Sequence, residues 1–468
     1  MTRHHTFAIV AAAASLLAMT CGAGAASAAD SIPDVGPTDT SLMHSDLYST
    51  DSIGIPGPGP GARVRAASSP SGPCAAPFIG SDGMPVALCT SYVGLNPPTF
   101  LAPTVKLFDP VTAQPVAQLQ LDKGSLLGSA YGYLDSRDRI VVADGASAIA
   151  RVAHRRTANG WELYLDQRID VKSAVPDGDE LTAIEPDWQG RIWFATTNGV
   201  IGTIDGDRVA STHLPAGEKI ANGLTLRPAG ASVLTDHALY EMTVGADGVP
   251  TTVWSNTYDR GVARKPGQVS WGSGTTPIYF GDTADEYVAI VDNAAQPNLL
   301  VYNTSDGSVY CKMPAFETSG PGTENAPMAW GHSLVIGSTY GYQMPPGAAD
   351  GPSVPADAPF TGGMTRIDVT ADGCRRVWEN SDRYANLPHL SRADGLIHGL
   401  AYGPLADQPS TKSGPVYYAA TDFNTGDRVE TVQVGTSPQD DLILLTGVIA
   451  PDGTLWQSTK SRMLAIGH

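Results

Sequence analysis

From about Leu101 to the C-terminus, short apolar runs alternate with polar turns, and no stretch keeps a helical period of useful length. The clearest copy of the pattern is Asp187-Trp188-Gln189-Gly190-Arg191-Ile192-Trp193-Phe194, an acidic turn followed by a β-rich run. Asp394-Gly395-Leu396-Ile397-His398 and Asp452-Gly453-Thr454-Leu455-Trp456 repeat it, and Asp138-Arg139-Ile140-Val141-Val142 is a looser version. A second hairpin type recurs at 108–113, 302–307 and 422–426. There Asp or Asn can bond back to the turn backbone, and Gly or Ala follows the reversal.

The recurrence interval is roughly 45 residues, the length of a four-stranded propeller blade. Units fall near 125–170, 180–213, 218–255, 268–312, 322–379 and 385–437, with a last incomplete unit at 442–467. The strands at 101–120 are the expected complement of that last unit. Joining first and last strands in one blade closes the ring and removes two exposed edges. The pattern therefore predicts an all-β chain forming a single β-propeller, seven-bladed, with six or eight blades as alternatives.

The N-terminus sets the compartment. A short polar start (Arg3, His4, His5) precedes an apolar stretch from Phe7 to about Met19, and Ala26-Ser27-Ala28 matches a signal-peptidase site. Residues 1–28 read as a signal peptide, with cleavage after Ala29 as the alternative. Cys21 raises lipid anchoring, but Ala18-Met19-Thr20 is a poor lipobox, so a secreted, released protein is preferred over a cell-envelope lipoprotein. No later apolar run is long enough to span a bilayer. Residues 29–73, including the Pro/Gly run 54–61, read as a flexible or wrapping leader, leaving 74–468 for the propeller domain. Four cysteines remain after the signal, and their spacing suggests Cys74 with Cys89 and Cys311 with Cys374.

A formal net charge of -18 disfavours nucleic acid and anionic membranes as partners. Solubility is its simpler meaning, and the chain is expected to be a monomer whose partner is a small-molecule, glycan or peptide ligand at the channel mouth.

Propeller chemistry is sought where polar residues flank inner strands. Glu185, Asn222, the Ser273/Thr275/Thr276 cluster, Asp292 with Asn293, and Glu324 with Asn325 qualify. Carboxylate and amide oxygens converging from successive blades suit a hard cation such as calcium, which would polarise a carbonyl and activate water. Hydrogen bonding between blades is the plainer use for the same residues. His237 and His332 are candidate general bases, with His389 and His398 behind them, although each stands alone in sequence. There is no GxSxG elbow, HExxH, P-loop or Rossmann fingerprint. The dispersed tryptophans suit packing between blades better than a carbohydrate platform.

Tyr258-Asp259-Arg260-Gly261, Arg264-Lys265-Pro266-Gly267-Gln268, Gly272 to Pro277, Asp292-Asn293, Thr323-Glu324-Asn325, Tyr340-Gly341-Tyr342 and Val377-Trp378-Glu379-Asn380 together resemble a group of exported bacterial propeller proteins. Ala221-Asn222-Gly223-Leu224, Thr235-Asp236-His237 and Asp292-Asn293 are similar to elements of gluconolactonase and paraoxonase propellers. That resemblance implies a divalent ion, usually calcium, held by Glu185, Asn222, Asp292 and Asn293, though the spacing between these residues departs from those families. The hairpin 420–427 resembles the docking motif of pyrroloquinoline-quinone dehydrogenases, but Glu430 stands where that motif has Trp. A quinoprotein-like fold without PQQ is implied. The resulting expectation is a divalent-metal-assisted hydrolase of a lactone or other ester. The alternatives are a non-catalytic binding module, which suits the Gly/Pro-rich insertions at 343–361 and 403–414, and a quinone-dependent oxidoreductase.

Overall fold

Middle strands such as Ile192–Thr196 and Tyr287–Val291 are apolar at nearly every position and buried along their whole length. Such a strand must be covered on both faces by neighbouring sheets. Outer strands such as Arg428–Ser437 mostly alternate between part-buried and exposed positions, so one face meets solvent. Repeated around an axis, this gradient makes a β-propeller. The computed structural model describes residue 1 and residues 32–70, 72–93, 99–124, 131–345 and 347–468, and 32–468 form one compact unit. The expected signal peptide lies almost wholly outside the described residues. Every regular element described is a strand, and all but the small Tyr92–Val93 and Thr99–Phe100 pair build eight four-stranded blades, one of which carries a fifth strand. In chain order, blades 1 to 7 span 78–120, 132–170, 181–213, 224–257, 278–314, 328–380 and 389–437, and blade 8 joins 448–467 to Arg63–Ala67.

The favoured count of seven is thus corrected to eight, the upper alternative. Thr104–Phe108 and Pro115–Gln120 do not complete the last repeat; they pair with Pro85–Cys89 and Phe78–Ile79 as a blade of their own. Arg63–Ala67 completes it instead, antiparallel to Met463–Gly467, with Val64 opposite Ile466. N- and C-terminal strands close the ring as expected, and the propeller draws on residues upstream of Cys74.

Contacts between blades follow the hairpin repeats. Trp254 of blade 4 donates its Nε1–H to the Thr304 carbonyl and Trp378 of blade 6 to that of Phe423, each at 2.9 Å. Both rings lie over turn glycines of the next blade: at Gly307 (φ +73) and Gly426 (φ +76) a Cβ would stand 2.7 and 2.6 Å from ring carbon. The 422–426 hairpin therefore receives its Trp from the preceding blade, Glu430 notwithstanding. The cysteines pair as their spacing suggested, and Cys311–Cys374 ties the outer strands of blades 5 and 6. Within the Asp187 turn, Oδ1 accepts from the Gln189 and Arg191 N–H groups and Oδ2 from Arg191 Nε and Trp193 Nε1. Asp135 repeats the scheme with Arg137 and Arg139.

The first strand of each blade has an inner edge facing the axis, where its N–H groups need acceptors. A strap at 40–53 supplies them. Carbonyls of Thr40, Ser41, Leu47, Tyr48, Thr50 and Asp51 accept from Ile79, Leu134, Leu226, Tyr279, Ala329 and Leu390, reaching blades 1, 2, 4, 5, 6 and 7 in order. Ser52–Ile53 then runs parallel to His389–Ser391 as the fifth strand of blade 7. The stretch read as a leader is largely buried here, with Met43 and Leu47 each 2 % exposed.

Candidate functional site in the central channel

Residues just ahead of the first strands gather on the axis around a cavity of about 300 Å³. Tyr131 comes from blade 2, Asn222 from blade 4, Thr276 from blade 5, and Glu324 and Asn325 from blade 6. Met43 and His44 of the strap also line it, while Leu88, Val269, Met344, Leu387 and Leu444 make much of the wall apolar. A largely apolar cavity with a few convergent polar groups is the usual form of a small-molecule site.

Glu324 is the central group. Its Oε1 accepts from Asn222 Nδ2 and its Oε2 from the Val269 N–H, both at 3.0 Å. Burial pushes its pKa up to about 7, against the pull of those two bonds and of the Arg264 charge. Gly274 makes room for it, since a Cβ there would stand 2.0 Å from Glu324 Oε2. Asn222 Nδ2 also donates to the Gly274 carbonyl, so one amide holds both the carboxyl and the loop beside it. Tyr131 hydrogen-bonds Thr276 Oγ1 at 3.0 Å, and burial pushes its phenol up to about 12, with the Glu324 charge adding to the rise.

His44 is 3 % exposed, with Nδ1 3.0 Å from Asp51 Oδ2. Burial lowers its pKa, but the Asp51 charge and hydrogen bond, aided by Asp46, outweigh this and the net shift is upward. Its ring lies 5.9 Å from that of Tyr131.

Of the residues singled out from sequence, Asn222, Thr276, Glu324 and Asn325 meet at this cavity, and Glu185, Asp292, Asn293, His237 and His332 lie elsewhere. Glu185 is buried within Leu181–Pro186, where burial holds its carboxyl well above the usual range. Asp292 closes a turn, accepting from Ala294, the Asn298 N–H and Asn298 Nδ2, and Asn293 Nδ2 donates to the carbonyls of Arg260 and Ala263. His237 sits between Asp236 at 2.8 Å and Arg260 at 2.7 Å in a second, rim pocket of about 440 Å³. His332 lies on the surface, 3.2 Å from Glu286 and 3.7 Å from Asp282. Those three residues could offer ligand atoms within 4.8 Å of one another. The histidine on the cavity wall is His44, and only a His following the apolar pair Leu42-Met43, with an Asp seven positions on, could have signalled it.

No protein-family model matches the chain, and no curated relative matches it. Solved structures share the fold. Quinohemoprotein alcohol dehydrogenase from Comamonas testosteroni is 9 % identical with a TM-score of 0.58, covering 92 % of this chain and 82 % of that one. A europium-containing methanol dehydrogenase is 9 % identical at TM-score 0.55, covering 92 % and 98 %. Sqt1 from Chaetomium thermophilum is 11 % identical at TM-score 0.54, covering 86 % and 98 %. At such identities the likeness is one of fold.

Proposed function

We propose that the chain is an exported propeller that hydrolyses a small, neutral, largely apolar ester or lactone in its central cavity, with Glu324 as general base. The observation carrying this reading is a carboxyl with a pKa of about 7 inside a ligand-sized, mostly apolar cavity. A base near neutrality combines a useful ionised fraction with useful basicity. The Glu324 carboxylate takes a proton from water as the water oxygen bonds to the carbonyl carbon. Asn222 and the Val269 N–H hold the carboxyl in place, and Tyr131, protonated across the neutral range, offers hydrogen bonding without charge. Two disulfides suit an oxidising compartment, and no helix among the described residues is long and apolar enough to cross a membrane.

Calcium takes six to eight oxygens. Asn222, Glu324 and Asn325 offer one carboxylate and two amides, and both Glu324 oxygens already accept N–H groups. These residues do not fit the ion as they stand, so no step is routed through one.

The test is turnover of 4-nitrophenyl butyrate against pH. We predict a rate that rises as pH passes through about 7, where Glu324 ionises, and a fall of about 10²–10⁴-fold in Glu324→Gln. Equal rates in the two proteins would overturn the reading.

Ligand binding without chemistry has its own support in the rim pocket, where Trp271 is 41 % exposed and Arg260 lies 4.0 Å from its ring centroid. Sqt1 has been solved bound to the N-terminus of ribosomal protein L10, at a TM-score of 0.50 to this chain. For quinone-dependent oxidation, the fold likeness is the sole support.

A further inference from the structure

We propose that His44 is the second catalytic group of the cavity, giving the proton on its Nε2 to the departing oxygen of the bound ester while Asp51 holds the ring. This rests on the Glu324 reading. His44 Nδ1 is committed to Asp51 Oδ2 at 3.0 Å, whereas His44 Nε2 is buried and has no hydrogen-bond partner among the described residues. A buried, unpartnered ring nitrogen is costly for stability alone, and this residue lines the same cavity as Glu324. Tyr131 lies close to both, its ring 5.9 Å from the imidazole and its phenol within the fields of Glu324 and Asp51.

The strap is well suited to carry such a group. Its carbonyls are anchored to first strands on both sides of His44, at blades 1 and 2 before it and at blades 4 to 7 after it. A site residue on so many fixed points keeps its geometry. Burial lowers the imidazole's proton affinity, and the Asp51 charge and hydrogen bond, with the Asp46 charge, outweigh it. The net upward shift moves His44 toward its acid form, and Glu324 is partly ionised around neutrality; environments that push two groups in this way assign an acid and a base.

The step balances. Water loses a proton to Glu324 and its oxygen bonds to the acyl carbon. The carbon–alkoxide bond breaks, and the alkoxide takes the proton from His44. The products are a carboxylic acid and an alcohol. Exchange with solvent returns the proton from Glu324 to His44.

Leaving-group dependence separates this role from a structural one, because 4-nitrophenolate departs without a proton and ethoxide does not. Hydrolysis of 4-nitrophenyl butyrate and ethyl butyrate is compared in wild type, His44→Gln, Asp51→Asn and Glu324→Gln. Expected are a loss of about 10²-fold or more on ethyl butyrate for His44→Gln, with 4-nitrophenyl butyrate kept within about tenfold. Asp51→Asn, which keeps the imidazole, shows a smaller loss in the same direction. If Glu324→Gln is inactive but His44→Gln and Asp51→Asn match wild type on both esters, the His44 role is overturned and the Glu324 reading stands. Equal losses on both esters in both strap variants would make the strap a structural element and overturn the proposal. Wild-type inactivity on both esters would overturn both readings together.

Discussion

The turn carboxylates and the cavity carboxyl share a chemistry but not a situation. Asp187 is 2 % exposed and accepts four hydrogen bonds, two of them from the Arg191 backbone and side chain. Glu324 accepts from one amide side chain and one backbone N–H, has no cation within ion-pairing distance among the described residues, and borders open space. A carboxylate whose lone pairs are filled and whose charge is matched is a structural part. One that is desolvated and left with capacity is chemically available.

The comparison can be broken or sharpened by substitution, from the largest effect down. Asp187→Ala leaves Trp193 Nε1 and Arg191 Nε without their acceptor, and should cost about 3–5 kcal/mol in urea unfolding. Glu324→Gln should cost far less while lowering turnover by about 10²–10⁴-fold; similar destabilisation by the two would erase the distinction. Removing the link between blades 5 and 6 with Cys311→Ser and Cys374→Ser should cost about 2–4 kcal/mol by the same measurement.

The pH dependence of stability probes the cavity side. The folded pKa of Glu324 is raised from 4.5 to about 7, so its stabilising contribution is complete below 4.5 and is lost as pH rises through about 7. Wild type should therefore lose up to about 3 kcal/mol more than Glu324→Gln across that window. A parallel course for the two would contradict the buried-carboxyl account. Least affected is Trp378→Phe, which deletes the bond to the Phe423 carbonyl but keeps a ring over Gly426, for about 1 kcal/mol.

What could be read from the chain follows the range of the interactions. The Asp187 repeat was visible because its carboxylate bonds within six residues, and the hairpins because Gly307 and Gly426 need positive φ. The blade count was not, because Arg63–Ala67 pairs with strand residues at the far end of the chain. Asn222, Glu324 and Asn325 were found because position ahead of a first strand is a local property. His44 was passed over because the strap has no period of its own: its partners are single N–H groups donated by blades scattered from Ile79 to Leu390. Pro- and Gly-rich sequence beside it made a buried axial segment look like a leader.

The most direct test of the central claim is the ionisation of Glu324 itself, followed by ¹³C NMR of carboxyl-labelled protein and assigned with Glu324→Gln. The account predicts a midpoint near 7 for that resonance. A midpoint at the ordinary glutamate value of about 4.3 would contradict it.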